Sequence, residues 1–436
     1  MGFEKLRNAV RGRVLVTGDA DFERASQPWN VAITQRVACV VEAVDAEDVA
    51  AVVRFARDAG RPVVTQPTGH TPSLDIETAI LLRTGRLNGV EIDAQARLAR
   101  VGAGVQWGQV QTAAAEHGLT GLAGGNPVVG VTGYTLGGGL GWFARKHGWA
   151  SEAVRAFEIV DADGRAVRVT ADSDADLFWA LCGGGGDFGV VTALEFELFP
   201  AEGLYGGRVM WPGVRQAEVW EAFKELTAAA PDELSVWFER FQFPEAPEMV
   251  AIDIAYLGDP GEGEQLVSVL DRIGGAISDT RAAMSVADLG AITAEPTNPS
   301  PSISSAELLA DLDDDTVKVL LGESVAPLIN IQVRHLGGAL ARTSPEAGAR
   351  GPVTAPYVVY LLGLGLPQLR NAVAAKQSAM ADALGAHIVP GKPYTFLAPG
   401  EQAAAAFDAA TIVRLREIKQ ARDPHGVLRA NFPVQA

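Results

Sequence analysis

Cysteine is nearly absent from this 436-residue chain. Only Cys39 and Cys182 occur, far apart and each among apolar neighbours, which excludes a disulfide framework or a thiolate metal cluster and predicts two buried thiols. The six histidines never stand at i, i+4 and none lies in an HExxH pattern, so no helix-borne metal site is expected. Basic residues are also scarce: 36 Lys and Arg stand against 53 Asp and Glu, a formal charge of −17 that repels phosphate backbones and anionic lipid. No apolar run approaches the ~18 residues of a membrane span. The opening residues Met1 to Arg7 lack the apolar stretch and small-residue cleavage site of a secretory leader. These absences predict a cytoplasmic protein without nucleic-acid or membrane partners. Glycine, by contrast, is plentiful, with 48 residues crowded between Gly102 and Gly141 and between Gly183 and Gly189. Backbone there must approach something closely or turn with positive φ.

The length suggests two domains. The apolar, β-branched run 36–44 is followed by Asp45, Asp48 and apolar residues at helical spacing up to Gly60, then by the run 61–65, which predicts a β-α-β unit. Strands are expected near 79–83, 89–92 and 98–101, and a helix over 107–117 closed by Gly118. Asp163-Gly164 between two apolar runs predicts a hairpin with a type I′ turn. Asp174 opens a short helix, and 189–198 alternates as a strand. A composition change at 199–203 marks a boundary, after which strands (208–211, 234–243, 249–256, 328–335, 357–362) mix with helices (214–229, 263–273) and a Pro, Ser and Thr-rich loop at 295–301. The tail after the 407–421 helix is too short to fold alone and must dock on an earlier part of the chain.

The glycine motifs do not read as a dinucleotide fold. Gly184-Gly-Gly186-Asp-Phe-Gly189 satisfies GxGxxG, yet a helix precedes it and a strand follows, the reverse of what a pyrophosphate-facing helix N-terminus requires. A turn such as Thr65-Gln-Pro-Thr-Gly-His70-Thr at a strand's carboxyl end can instead aim successive backbone N–H groups into one concavity and hold a pyrophosphate without lysine. The same stretch also reads as a surface turn with a structural histidine.

The order of these motifs resembles the FAD-linked oxidases of the vanillyl-alcohol oxidase and p-cresol methylhydroxylase (PCMH) superfamily, on the berberine-bridge-like branch. The resemblance runs over Gly69-His70, Gly124-Gly-Asn126-Pro-Val-Val129-Gly-Val-Thr-Gly133, the triple glycine Gly137 to Gly139, Asp176-Leu-Phe-Trp-Ala-Leu181 with Gly183 to Thr192, and Val427-Leu-Arg-Ala-Asn431. It covers about residues 30 to 200 and returns at the end of the chain. It implies an α+β fold with an FAD-binding domain over 1–200, a substrate domain of a large antiparallel sheet covered by helices over 201–395, and a segment 396–436 returning to the FAD domain. It also implies FAD, with the pyrophosphate on Gln66, Pro67, Thr68, Gly69, His70 and Thr71 and the ring near Gly124, Gly125, Asn126, Val129, Gly130, Thr132 and Gly133. Gly137, Gly138, Gly189, Val191 and Asn431 complete that set. The family's histidine carries the flavin covalently, which falls on His70. Asn126 stands where bicovalent members have a second, cysteine attachment, so a single bond is expected. The family's C-terminal tyrosine-and-asparagine patterns are replaced by Tyr394-Thr-Phe396 and Asp408-Ala-Ala-Thr411, so the familiar proton acceptor is missing. Gln66-Pro-Thr replaces a common Arg-Gly-Gly.

The resemblance further implies an oxidase that takes hydride from a small-molecule C–H bond next to oxygen or nitrogen and is reoxidised by O2, which a small residue at Val129 admits to the ring. The Ala- and Gly-rich acidic composition associates with bacterial natural-product tailoring. A redox-neutral cyclase or isomerase, or a ligand-binding protein with flavin as scaffold, stays open. For polar groups facing a substrate, alternation puts Asn330, Gln332 and Arg334 on one side of a strand and Ile331, Val333 and His335 on the other. Such a row is either a substrate wall or a solvent face. Glu239, between Trp237 and Phe241, and the tyrosines Tyr357 and Tyr394 are the other candidates.

Overall fold

The computed structural model describes residues 2–74 and 76–435. The first part is built as the β-branched runs dictate. Strands Cys39–Glu42, Ile80–Arg83 and Val63–Thr65 lie parallel, with Arg13–Leu15 antiparallel at the edge. The helix Ala46–Ala59 crosses between them. Asp45 caps it by accepting from the Asp48 N–H at 2.9 Å, and Gly60 ends it at φ +62°. Its buried stripe Val49, Val52, Val53 and Ala56 packs on the apolar faces of those strands. A second, antiparallel sheet runs Val90–Asp93, Leu98–Gly102, Val190–Glu197, Val154–Val160, Ala166–Val169.

From Tyr205 onward the chain forms a nine-stranded sheet whose central order is Tyr205–Pro212, Met249–Tyr256, Leu234–Phe241, Leu328–His335, Tyr357–Leu364, Ser302–Leu309. All its pairings are antiparallel. Helices Gln216–Ala228, Asp314–Leu321 and Arg370–Leu384 cover one face, where Leu234, Val236, Phe238, Ile331, Val333, Val359 and Leu361 form the core. Period-two alternation turns the intervening residues to the opposite face, toward the glycine-rich segments. This is the α+β architecture with a large helix-covered antiparallel sheet that the motif order implies.

Several details differ from the sequence expectation. The 163–164 hairpin is not type I′. Gly164 alone has positive φ (+77°), Gly164 N–H bonds to Asp161 O, and the Asp161 side chain accepts from the Asp163 and Arg165 N–H groups, so the link is a longer loop with Gly164 in the left-handed position. The helix near 263 starts earlier, at Pro260, because Asp259 caps it, and continues as a 3-10 turn over Ser268–Arg272. The tail forms no strand. It docks on the first part through a single parallel bridge between Val63 and Leu428 and through Asp187, whose carboxylate accepts from the Ala430 and Val434 N–H groups at 2.8 and 2.7 Å. Cys39 and Cys182 are buried and free, and burial raises both thiols. Among the described residues no helix is long and apolar enough to cross a membrane.

Candidate cofactor and substrate site

A cavity of about 780 Å³ separates the glycine-rich segments from the polar face of the large sheet, a size in the upper range of small-molecule and cofactor sites. One wall is the turn after strand Val63–Thr65. Gly69 has φ +87°, and a Cβ there would meet Gln66 Nε2 at 2.7 Å and Pro28 Cα at 2.9 Å, so only glycine lets the turn close. Carbonyls of Thr68 and Gly69 accept from the N–H groups of Trp29 and Asn30. The backbone N–H groups of Thr68, Gly69, His70 and Thr71 find no acceptor among the described residues. The His70 ring lies flat on Trp29, its Nδ1 is 2.9 Å from Thr68 Oγ1, and its Nε2 is buried without a partner among the described residues. Burial lowers its pKa to about 4, so the ring is neutral near pH 7.

The second wall carries Gly124, Gly125, Asn126, Val129, Gly130, Thr132 and Gly133. Asn126 folds this turn on itself by accepting from Val128 N–H at 3.0 Å, and it donates to Pro296 O at 3.0 Å in the loop opposite. Gly189, Val191 and Asn431 also reach the cavity, and Asn431 ties the tail to the first turn by donating to Thr71 O at 3.2 Å. Gly137 and Gly138 do not line it. They sit just past the helix Val131–Leu136, where a Cβ would strike Thr395 and Tyr394 at the first position and Arg350 and Trp149 at the second, so their role is close packing.

These features fit FAD. Backbone N–H groups without an acceptor among the described residues, set in a concave turn, suit an anionic pyrophosphate, and the neutral His70 ring lines the same cavity.

The sheet supplies the third wall. Asn330, Gln332 and Arg334 face the cavity, while His335 points to the other side, against Arg145 and Tyr357. Glu239 accepts from Asn330 Nδ2 at 2.7 Å and from Gln332 Nε2, and lies 3.4 Å from Arg208. Arg208 in turn grips the fully buried Asp253 through two hydrogen bonds of 2.6 and 2.7 Å. Gln332 turns its carbonyl to Arg334 Nε, and the Arg334 guanidinium lies over Trp237 at 3.9 Å with Phe396 and Tyr360 at 5.2 and 5.7 Å. Tyr394 lines the cavity with its hydroxyl donating to Phe432 O at 3.0 Å. Tyr357 is on the wrong face. It pairs in register with His335, its hydroxyl meets Thr227 at 3.2 Å under the helix Gln216–Ala228, and Tyr360, three residues on, is the tyrosine of that strand that reaches the cavity.

Sequence reading also passed over Glu295. It is exposed to the open cavity from the 295–301 loop; the surrounding protein raises its pKa, with Arg334 opposing and Glu239 adding to the rise, and contact with cavity solvent weakens that shift. The preceding Ala294 has φ +49°, an unfavourable backbone for a residue with a Cβ.

Residues 37–170 match the family described as FAD binding domain. The (R)-6-hydroxynicotine oxidase of Paenarthrobacter nicotinovorans is 29% identical over 296 residues, 66% of this chain and 64% of that protein. The chain thus spans less than two thirds of the curated relatives it matches. The crystal structure of 6-hydroxy-D-nicotine oxidase from Arthrobacter nicotinovorans superposes with a TM-score of 0.83 at 22% identity, covering 98% of both chains. BBE-like 1 of Physcomitrella patens superposes with a TM-score of 0.85 at 17% identity, over 100% of this chain and 99% of that one. In its FAD-binding segment and its two-part fold the chain is similar to FAD-linked oxidases of the PCMH-type, vanillyl-alcohol oxidase kind, with a berberine-bridge-like protein among its structural neighbours.

Proposed function

We propose that the protein is an FAD-dependent oxidase of a small organic substrate carrying a C–H bond next to an O–H or N–H group, with His70 joined to the flavin through one covalent bond and O2 as the electron acceptor. Its FAD portion is assembled from residues 1–200 together with the returning segment 396–436, and the sheet of residues 201–395 faces the substrate. When bound, FAD supplies the two-electron acceptor that no side chain can provide. The observation that carries this reading is the His70 ring, neutral, pressed on Trp29 at the edge of a glycine-lined cavity, with its buried Nε2 unpartnered among the described residues. The turn at 66–71 holds the anionic end of the cofactor through backbone N–H groups. Asn126 contributes an amide and no thiol, which limits attachment to one bond. The row of Asn330, Gln332 and Arg334 orients the substrate, because its amides and guanidinium are held in one array by Glu239 and by the aromatic side chains around Arg334. Val129 leaves room for oxygen. A role in cytoplasmic natural-product tailoring agrees with the acidic, Ala- and Gly-rich composition.

Absorption spectra of the purified protein before and after acid precipitation test the cofactor and its bond together. Flavin absorbance that stays with the pellet is expected. Protein without flavin, and unable to take it up, overturns the reading. Oxygen uptake and peroxide release with a panel of secondary amines and alcohols test the reaction; turnover without either points to a redox-neutral enzyme instead.

A further inference from the structure

Two carboxyl groups face the cavity among the described residues, Glu239 and Glu295, and their surroundings differ. Glu239 is walled in: the Asn330 and Gln332 amides donate to it, Arg208 is close, and its side chain is 2% exposed. With both oxygens taken by these donors and so little surface exposed, it is out of reach of a ligand. Glu295 has no ion pair within 4 Å among the described residues, and it opens onto the cavity next to Asn126. The loop that carries it is fixed from both walls. Thr293 Oγ1 donates to Gly125 O at 3.3 Å, Arg208 Nη1 donates to Thr293 O at 3.1 Å, and Asn126 Nδ2 donates to Pro296 O. Gly125 has no Cβ where one would lie 3.0 Å from Glu295 Oε1. A methyl group at 125 would therefore crowd this carboxylate and the Thr293 side chain.

We propose that Glu295 is the proton acceptor of the reaction, standing in for the tyrosine-and-asparagine patterns absent from this chain; this rests on the oxidase reading above. The substrate O–H or N–H proton goes to the Glu295 carboxylate. The adjacent C–H hydrogen leaves with its electron pair to the bound acceptor, and a C=O or C=N bond forms. The groups facing Glu295 are Arg334, Arg208, Glu239, the Tyr360 hydroxyl and the Asn126 amide. The protein around it and Glu239 favour its protonated form, less strongly than for an enclosed group because it is open to the cavity, so the acceptor is lost as pH falls through its raised pKa.

The test uses flavin-loaded wild type, E295Q, E295D and G125A, mixed without oxygen with the amine and alcohol panel, following loss of flavin absorbance across pH. Wild type is expected to slow on the acid side. E295Q should bind flavin with an unchanged spectrum, be reduced about 10²- to 10⁴-fold more slowly, and lose the acid limb, while E295D keeps the limb. G125A, which pushes the carboxylate aside, should slow reduction and keep the limb. In pH-difference infrared spectra a carboxyl band titrating above the ordinary range should be missing from E295Q alone; its persistence there overturns the assignment. E295Q reduced at the wild-type rate with the same acid limb also overturns it and leaves the oxidase reading standing. If no panel compound reduces wild type, the oxidase reading falls and this assignment falls with it. Should E295Q not fold, E295D without an acid limb overturns the assignment.

Discussion

His70 lies face to face with Trp29, the ring centroids 4.2 Å apart and the planes 15° from parallel. The stack fixes the direction of Nε2, and Thr68 Oγ1 at 2.9 Å from Nδ1 fixes the rotation. The ring is neutral near pH 7, so one of its nitrogens carries a lone pair, and in the proposed oxidase that is the site of attachment to flavin. Denaturing mass spectrometry should show the FAD increment in wild type and none in His70→Ala, which still binds FAD reversibly. Trp29→Leu should give a mixture. An FAD increment persisting in His70→Ala would move the bond to another residue.

The Arg208–Asp253 pair spans two strands under the substrate wall, with the Asp253 side chain fully buried and the Arg208 side chain 15% exposed. Burial and the neighbouring Glu239 raise the Asp253 pKa, and the double hydrogen bond from Arg208 opposes this. Asp253→Asn leaves the guanidinium with Glu239 at 3.4 Å as its nearest carboxylate among the described residues, beside the Thr293 carbonyl at 3.1 Å. Removing one partner of a buried pair costs about 3–5 kcal/mol, and the remaining carboxylate puts this case at the lower end. Urea denaturation should report it; a change below about 1 kcal/mol, the ordinary size for a substitution, would show the pair is dispensable.

The parts of the site carried by strands were legible because alternation is strict. Asn330, Gln332 and Arg334 face the cavity for the same reason that Ile331 and Val333 face the helices. Tyr357 was misjudged because residue type was weighed without register: its face is decided by pairing with His335, which one sequence does not reveal. Glu295 lies in a loop with no periodicity, and its contacts with Gly125 and Asn126 cross about 170 residues of chain. Ser302–Leu309 begins with polar Ser302, Ser304 and Ser305 and becomes a strand by pairing with Tyr357–Leu364. The helix Arg370–Leu384 was hidden for a similar reason. Its buried stripe Val373, Gln377, Met380 and Leu384 contains a glutamine whose amide donates to Ile303 O and Leu361 O. Gly137 and Gly138 belong to the family wording, but they serve packing, a distinction visible only from what a Cβ would strike.

The C-terminal tail is held by buried charge. Lys419 Nζ donates to Asp187 O, Asp423 Oδ2 and Leu428 O, and the Asp187 carboxylate takes the Ala430 and Val434 N–H groups. Asp187→Ala leaves two buried N–H groups unpaired, at about 1–3 kcal/mol each. The tail should become protease-sensitive, and because Asn431 then loses Thr71 O, flavin should be released more readily in a protein whose second sheet is unaffected. Wild-type protease resistance in Asp187→Ala would refute this account of how the tail is held.

Glu152 gives a pH dependence separate from catalysis. Its Oε2 accepts from the Trp149 N–H at 3.1 Å and fills the space beside Gly148, where a Cβ would meet it at 2.0 Å. Burial raises its pKa to about 7, with the Trp149 N–H opposing and Glu346 adding to the rise. The folded protein therefore prefers the protonated acid. That preference stabilises the fold fully below the unfolded carboxyl pKa and is lost as pH rises through about 7. Glu152→Gln keeps an acceptor for Trp149 and cannot ionise. Part of the Glu152 side chain reaches solvent, so the effect is smaller than the pKa shift alone implies. Thermal unfolding should find Glu152→Gln close to wild type in acid, below the unfolded carboxyl pKa of about 4.3, and more stable than wild type at mildly alkaline pH. A difference between the two proteins that does not change with pH would show that Glu152 ionises in the folded state as readily as in the unfolded chain.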